Sequence, residues 1–320
     1  MKAPALLDII EAAERIKPYM NPSPLYTYPT LNELLGFTAY IKHENYNPTG
    51  AFKIRGGINL ISRLSPEEKK RGVITASTGN HGQSIALAGK IFGVNVHICV
   101  PEGANPIKVA AIRMHGATIH EHGKDFDSAV ENGKQLAEKH GYRFINSGNE
   151  PLLIAGVGTI GLEIMQQKPD IEVVISPVGS GTGAGGAATA VKALNPTVKT
   201  ISVQAEKAPS IYMSYKSGKL ESTPTAETFA DGLATRNAFE LPLGILRSNV
   251  DEFVLVSEEE MRHAIKLYLE HCHTVAEGAG AATLAAAVKL KDQLKGKRVA
   301  LVLSGGNITL DELTKSIRSG

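Results

Sequence analysis

Short apolar, β-branched runs alternate along the chain with segments whose apolar residues recur at helical spacing. "GVITAST" precedes the Ala-rich "GQSIALAGKIFG", and "VNVHICVP" precedes "NPIKVAAIRMHG". "ATIHEHG" precedes "FDSAVENGKQLAEKHG" and then "YRFIN". "IEVVISPVG" leads into "GAGGAATAVKALNP", "VKTISVQAE" follows, and "KRVALVLSGG" closes the series. Near-continuous apolar runs are what parallel strands covered on both faces require. Their alternation with helices predicts an α/β fold with two doubly wound lobes and mainly parallel sheets. One series spans roughly Gly72 to Asn146 and the other roughly Val173 to Ser304, which predicts a cleft between two lobes. The N-terminal "MKAPALLDIIEAAERIKPYM" has one apolar face but carries Asp8, Glu11, Glu14 and Arg15. It reads as an amphipathic helix, not a signal peptide.

Composition narrows the class. Of 320 residues, 42% are hydrophobic and 21% charged, an ordinary globular balance. A net charge of +2 provides no basic field for nucleic acid. No apolar run is suited to spanning a bilayer, so no membrane partner is expected. The two cysteines, Cys99 and Cys272, form no CxxC, which points to a reducing compartment and a cytoplasmic location. The ten histidines show no metal-type spacing with them, and "HCH", His271 to His273, is too close-set for both rings to share one helical face. "SYKSGKLES", Ser214 to Ser222, is polar and reads as a solvated loop.

Ligands in doubly wound sheets bind beyond the carboxyl ends of strands, and several unusual segments follow strands. In "NPTGAFKIRGG", Lys53 lies between Phe52 and Ile54. A buried lysine tends to lose its proton and act as a nucleophile; the alternative is an amine that reaches water at an element's end. "VGSGTGAGG" is a glycine loop between strand and helix, suited to an anion such as a phosphate. Gly181, Gly183 and Gly186 also fit GxGxxG, with Glu206 ending the next strand, so a nicotinamide dinucleotide is an alternative guest. In "ASTGNHGQS", Ser77, Thr78, Asn80 and His81 place hydroxyl, amide and imidazole groups at a helix start, either as caps or as a carboxylate site. "LSGGN" puts Ser304 at a strand end, and "AEGAGAAT" puts Glu277 before a Gly/Ala helix.

In this order, "TGAFKIRGG", "STGNHGQS", the glycine loop after "PVG" and "LSGGN" closely resemble the fold type II (tryptophan synthase β-like) pyridoxal-phosphate enzymes. The resemblance is to their serine/threonine dehydratase and serine racemase branch and covers nearly the whole chain. It implies a large cofactor-binding lobe of residues 1–70 and 148–320, a small mobile lobe of residues 71–147, and a homodimer. Lys53 would carry the cofactor as a Schiff base and serve as base for the α-proton, with Phe52 beside the ring. Gly179, Ser180, Gly181, Thr182 and Gly183 would hold the phosphate, Ser180 and Thr182 being departures from a purer glycine run. Asn80 would meet the ring hydroxyl, Ser304 the ring nitrogen, and Glu277 would belong to the cofactor site. Ser77, Thr78, Gly79, Asn80, His81 and Thr235 would bind the substrate.

The implied reaction is elimination of the β-hydroxyl of L-threonine or L-serine, giving a 2-oxo acid and ammonia. Thr78 stands where the racemases commonly have a serine, which keeps serine racemisation as an alternative. The racemases also carry an acidic cation site after the strand ending at Glu206. Here Glu206 and the Ser210 carbonyl remain, but Tyr212 stands where a carboxylate is expected. No arginine lies between Arg113 and Arg143, which disfavours dicarboxylates such as 3-hydroxyaspartate, although Arg236 could recruit a second acidic group. The chain stops soon after "LDELTKSIRSG", so the regulatory domain of biosynthetic threonine dehydratases is not expected.

Overall fold

Each apolar run singled out above forms a strand. The computed structural model describes residues 1–318. In chain order the strands are β1 (Leu25–Thr27), β2 (Thr38–His43), β3 (Val73–Ala76), β4 (Val96–Val100), β5 (Thr118–Glu121), β6 (Arg143–Phe144), β7 (Val173–Pro177), β8 (Lys199–Ala205), β9 (Glu252–Val256) and β10 (Arg298–Leu303). They sort into a six-stranded sheet, β1-β2-β10-β7-β8-β9, and a four-stranded sheet, β5-β4-β3-β6. All pairings are parallel except that of β1 with β2. The expected α/β class with mainly parallel sheets is the class observed.

Three strands lie outside the series read from the sequence. The edge strand β1 is short and largely exposed. β2, "TAYIKH", buries Lys42 and His43 and so lacks an apolar run. β9 is only partly covered. The expected loop at Ser214 to Ser222 is corrected in its first half: residues 214–217 close the Ser210–Ser217 helix. Ser214 is buried, donating to the Ser210 carbonyl at 2.7 Å and accepting from the Glu221 N–H at 2.9 Å.

The order of strands creates the site. β2, β10 and β7 are parallel neighbours, so the segments leaving their carboxyl ends emerge side by side. Those segments carry Lys53, Ser304 and the glycine loop. The Ile54–Ser62 helix then packs away from this sheet. Ile54, Ile58, Leu60 and Ile61 share one apolar cluster with Val73 of β3, Val96 and Ile98 of β4, and Ile85 of the Asn80–Phe92 helix. The segment bearing Lys53 is thereby wedged between the two sheets.

Glycines set how closely the Pro151–Gln167 and Thr182–Leu194 helices cross. A Cβ on Gly161 would lie 2.3 Å from the Ala187 carbonyl oxygen, and one on Gly186 would lie 2.6 Å from that of Ile154. Backbone cannot yield as a side chain can, so Gly161→Ala is expected to cost about 1–3 kcal/mol by overpacking. Urea unfolding would measure it; an unchanged midpoint would refute this account of the crossing.

Candidate active site

After β2 the chain turns back across the end of β10. The Phe52 N–H donates to the Ser304 carbonyl at 3.0 Å, and Ala51 bridges to Gly305. Lys53 follows as the residue capping the Ile54–Ser62 helix. It is held at both ends: its carbonyl accepts from Ser84 Oγ at 2.6 Å, and its Nζ donates to Thr182 Oγ1 at 3.0 Å. The amine also lies 5.0 Å from the centroid of the Phe52 ring. Burial pushes this amine down from 10.5 to about 8, because the charged form is poorly solvated there. The residue is half-buried, yet its amine has lost much of its hydration, as the buried-lysine reading expects and the solvent-reaching one does not.

The glycine loop meets that amine at the start of the Thr182–Leu194 helix. Gly181 adopts φ +90°, a left-handed conformation that turns the chain into the helix. A Cβ on Gly183 would come within 2.9 Å of the Phe52 ring, and one on Gly179 within 2.1 Å of the Gly232 carbonyl oxygen. Ser180 Oγ lies 3.3 Å from Thr182 Oγ1. Unpaired first-turn N–H groups and two hydroxyls therefore converge beside Lys53, a favourable place for a phosphate.

Asn80 is fixed from two sides. Its Oδ1 accepts from Asn307 Nδ2, and its Nδ2 donates to Glu277 Oε1, both at 2.7 Å. Asn307 Nδ2 also donates to the Thr49 carbonyl at 2.8 Å. One proton of the Asn80 amide is thereby left for a ligand. Burial pushes Glu277 up to about 7, against the pull of Asn80, Lys108 and the Asn307 N–H. In the sequence Asn307 is only the last residue of "LSGGN", and nothing local marks its role.

At the start of the Asn80–Phe92 helix, Ser77 acts as a cap, its Oγ accepting from the N–H groups of Gly79 (3.2 Å) and Gly82 (2.9 Å). Thr78 is half-buried beside it. The imidazole of His81 is turned from the expected donor role. Thr75 Oγ1 gives its proton to the Ile145 carbonyl at 2.8 Å, so at 3.2 Å it accepts from His81 Nε2. His81 Nδ1 is buried without a partner, and burial, followed by the Lys53 charge, holds the ring down at about 3. A neutral ring with a bare Nδ1 cannot donate to a carboxylate there; the backbone N–H of His81 can.

The remaining candidates lie on the segment after β8. The Thr235 carbonyl accepts from Ser210 Oγ at 2.6 Å, and Arg236 pairs with Asp127 of the Phe126–His140 helix. Asp231 pairs with Lys108 of the Pro106–Arg113 helix. Glu206 faces Lys289 at 3.6 Å, the Ser210 carbonyl accepts from Ser214 Oγ, and Tyr212 packs on Phe253. Among the described residues no three His, Cys, Asp or Glu side chains gather to hold a metal. The candidate cation site at Glu206 and the Ser210 carbonyl therefore has no such cluster around it.

Behind Lys53 lies a buried charge network that sequence reasoning missed. Arg55, with no exposed surface, donates to Glu44 from Nε (2.7 Å) and Nη2 (2.9 Å). It donates to Glu163 from Nη1 (2.5 Å) and Nη2 (2.8 Å), and to Thr159 Oγ1 at 3.0 Å. Buried Lys42 joins at Glu163 Oε2, 2.5 Å away. Burial alone would raise Glu44; Arg55 and Lys42 overturn that and hold it below its ordinary value. The available signal was two charged residues close together in each of two segments, Lys42 and Glu44 in "YIKHEN" and Lys53 and Arg55 in "AFKIRGG".

Residues 16–305 match the family model of the pyridoxal-phosphate dependent enzymes. The chain is 44% identical over 315 residues to an L-threonine ammonia-lyase of Thermotoga maritima, covering 98% of this chain and 78% of that one. It is 38% identical to a serine racemase of Dictyostelium discoideum, covering 98% of each. Among solved structures it superposes on the processed form of threonine deaminase isoform 2 from Solanum lycopersicum with a TM-score of 0.95 at 34% identity, covering 98% of this chain and 92% of that one. Family and fold displace the nicotinamide alternative for the glycine loop: the chain belongs to the pyridoxal-phosphate-dependent enzymes.

Proposed function

We propose that this chain is a pyridoxal-phosphate-dependent ammonia-lyase acting on L-threonine and/or L-serine to give a 2-oxo acid and ammonia. The observation that carries the reading is the Lys53 amine, its affinity for a proton lowered by burial, 3.0 Å from a hydroxyl at the start of the helix that follows the glycine loop. These residues fit the cofactor: Lys53 supplies the amine, and Gly179, Ser180, Gly181, Thr182 and Gly183 supply donors for its phosphate. Phe52 would flank the ring, the Asn80 amide with Glu277 behind it would meet the ring hydroxyl, and Ser304 would face the ring nitrogen. When bound, the cofactor supplies a sink for the electron pair left at the substrate Cα. Lys53, once free, takes the α-proton at Nζ. Ser77, Thr78, Gly79, Asn80, the His81 N–H and Thr235 hold the substrate carboxylate end.

The pairing of Arg236 with Asp127 supports a monocarboxylate substrate, because the cation able to take a second carboxylate is already neutralised. Residues 71–147 serve in this reading as a small lobe moving over the substrate, while residues 1–70 and 148–320 hold the cofactor. A homodimer accompanies it on the strength of the family resemblance, and a cytoplasmic location on that of the two unpaired cysteines. Activity is expected to survive chelation unchanged; loss of activity would instead support a divalent cation at Glu206 and the Ser210 carbonyl.

The test is to supply L-threonine, L-serine, D-serine and threo-3-hydroxyaspartate in turn, measuring 2-oxo acid and the enantiomers of residual serine. Rapid 2-oxobutanoate from L-threonine with little D-serine is the expected result. Appreciable D-serine from L-serine would make Thr78 an acid/base and the chain a racemase. No 2-oxo acid from a protein that retains its cofactor would overturn the reading.

A further inference from the structure

The glycine loop contains two hydroxyls, and one of them touches the reactive lysine rather than facing only an anion. Thr182 is 1% exposed, and its Oγ1 accepts from Lys53 Nζ at 3.0 Å. Ser180 Oγ, 3.3 Å away, offers the Thr182 proton an acceptor, which leaves a Thr182 lone pair for the lysine. Around the amine no other group offers a full compensating charge: the Phe52 ring at 5.0 Å gives only a cation–π attraction, His81 is buried, and the helix start has a positive partial charge. Among the described residues no carboxylate forms an ion pair with Lys53.

We infer that Thr182 is a positioning residue for Lys53: its hydroxyl holds the free amine, fixes one N–H, and sets how readily the amine keeps a proton. The inference rests on the proposed role of Lys53 and adds a second task for Thr182 besides phosphate binding. An accepting oxygen favours the ammonium over the neutral amine. Losing it must therefore make Lys53 easier to deprotonate. With one N–H committed to Thr182, the lone pair of the neutral amine faces away from the glycine loop.

The test compares wild type with Thr182→Val and Thr182→Ser, using the full chain freed of cofactor. Trinitrobenzenesulfonate labels neutral amines, and mass spectrometry reads the extent at Lys53 against pH. The wild-type midpoint is expected near pH 8. Thr182→Val should lower it by about one pH unit, and Thr182→Ser should restore it. In the holoenzyme the acid limb of kcat should move the same way. A valine variant with the wild-type midpoint would overturn the inference, as would a serine variant that behaves like valine. A wild-type holoenzyme lacking any visible band that borohydride bleaches would instead overturn the proposed function, whatever the labelling shows.

Discussion

Replacing Lys53 with alanine is expected to lower turnover by about 10⁴-fold or more and to remove the borohydride-sensitive visible band. The size follows from the lysine having two tasks, covalent attachment and proton abstraction, that no neighbour can take over. The groups nearest its amine are the Thr182 hydroxyl and the Phe52 ring, and neither is a base. His81 is neutral, and its Nε2 is committed to Thr75. The fold should tolerate the change, because the substitution removes a poorly solvated amine with a single hydrogen bond and leaves the Ser84–Lys53 backbone contact intact. Activity, absorbance and a urea unfolding curve measured on the same preparation would separate chemistry from folding. A variant retaining a tenth of wild-type turnover would remove Lys53 from the mechanism.

Arg55→Met is expected to destabilise the protein by about 3–5 kcal/mol, the usual cost of breaking a buried ion pair from one side. The guanidinium makes bidentate contacts with both Glu44 and Glu163, and its loss leaves Glu163 with Lys42 and Glu44 with only the neutral donors Ser23 and Asn47 in contact. The cost arises from the stranded charges more than from the pairing itself. Removing one balanced pair, as Arg55→Met with Glu44→Gln, leaves Lys42 paired with Glu163 and should therefore cost less than the single change. Arg55→Lys keeps the charge but loses the planar fork, and should fall between. Urea midpoints of these variants decide the matter; a single variant within about 0.5 kcal/mol of wild type would mean that the network is a bystander. Because Arg55 and Lys53 open the same helix, the single variant should also lose activity.

Much of the architecture was legible in the chain. Apolar runs bounded by turns marked the strands from β3 to β8 and β10, because parallel strands buried on both faces leave no polar alternation. Lys53 stood out for its apolar neighbours, and the glycine loop for five glycines in eight residues, Gly179 to Gly186. One of those glycines proved to serve another purpose: Gly186 lets two helices touch. Periodicity tells which residues face a core, but not which element covers them.

What only the tertiary structure decided was the company each side chain keeps. Lys53 meets Thr182 across 129 positions of sequence, and Asn80 meets Glu277 across 197. Local pattern holds no information at that range. It depends on β10, the last strand, inserting between β2 and β7. The same holds for Arg55, whose partners Glu44 and Glu163 come from the turn after β2 and from the Pro151–Gln167 helix. A charge inside an apolar run must either give up its proton readily, as Lys53 does, or, like the permanently charged Arg55, find a counter-charge. Which residue supplies it is settled only when the sheets have packed.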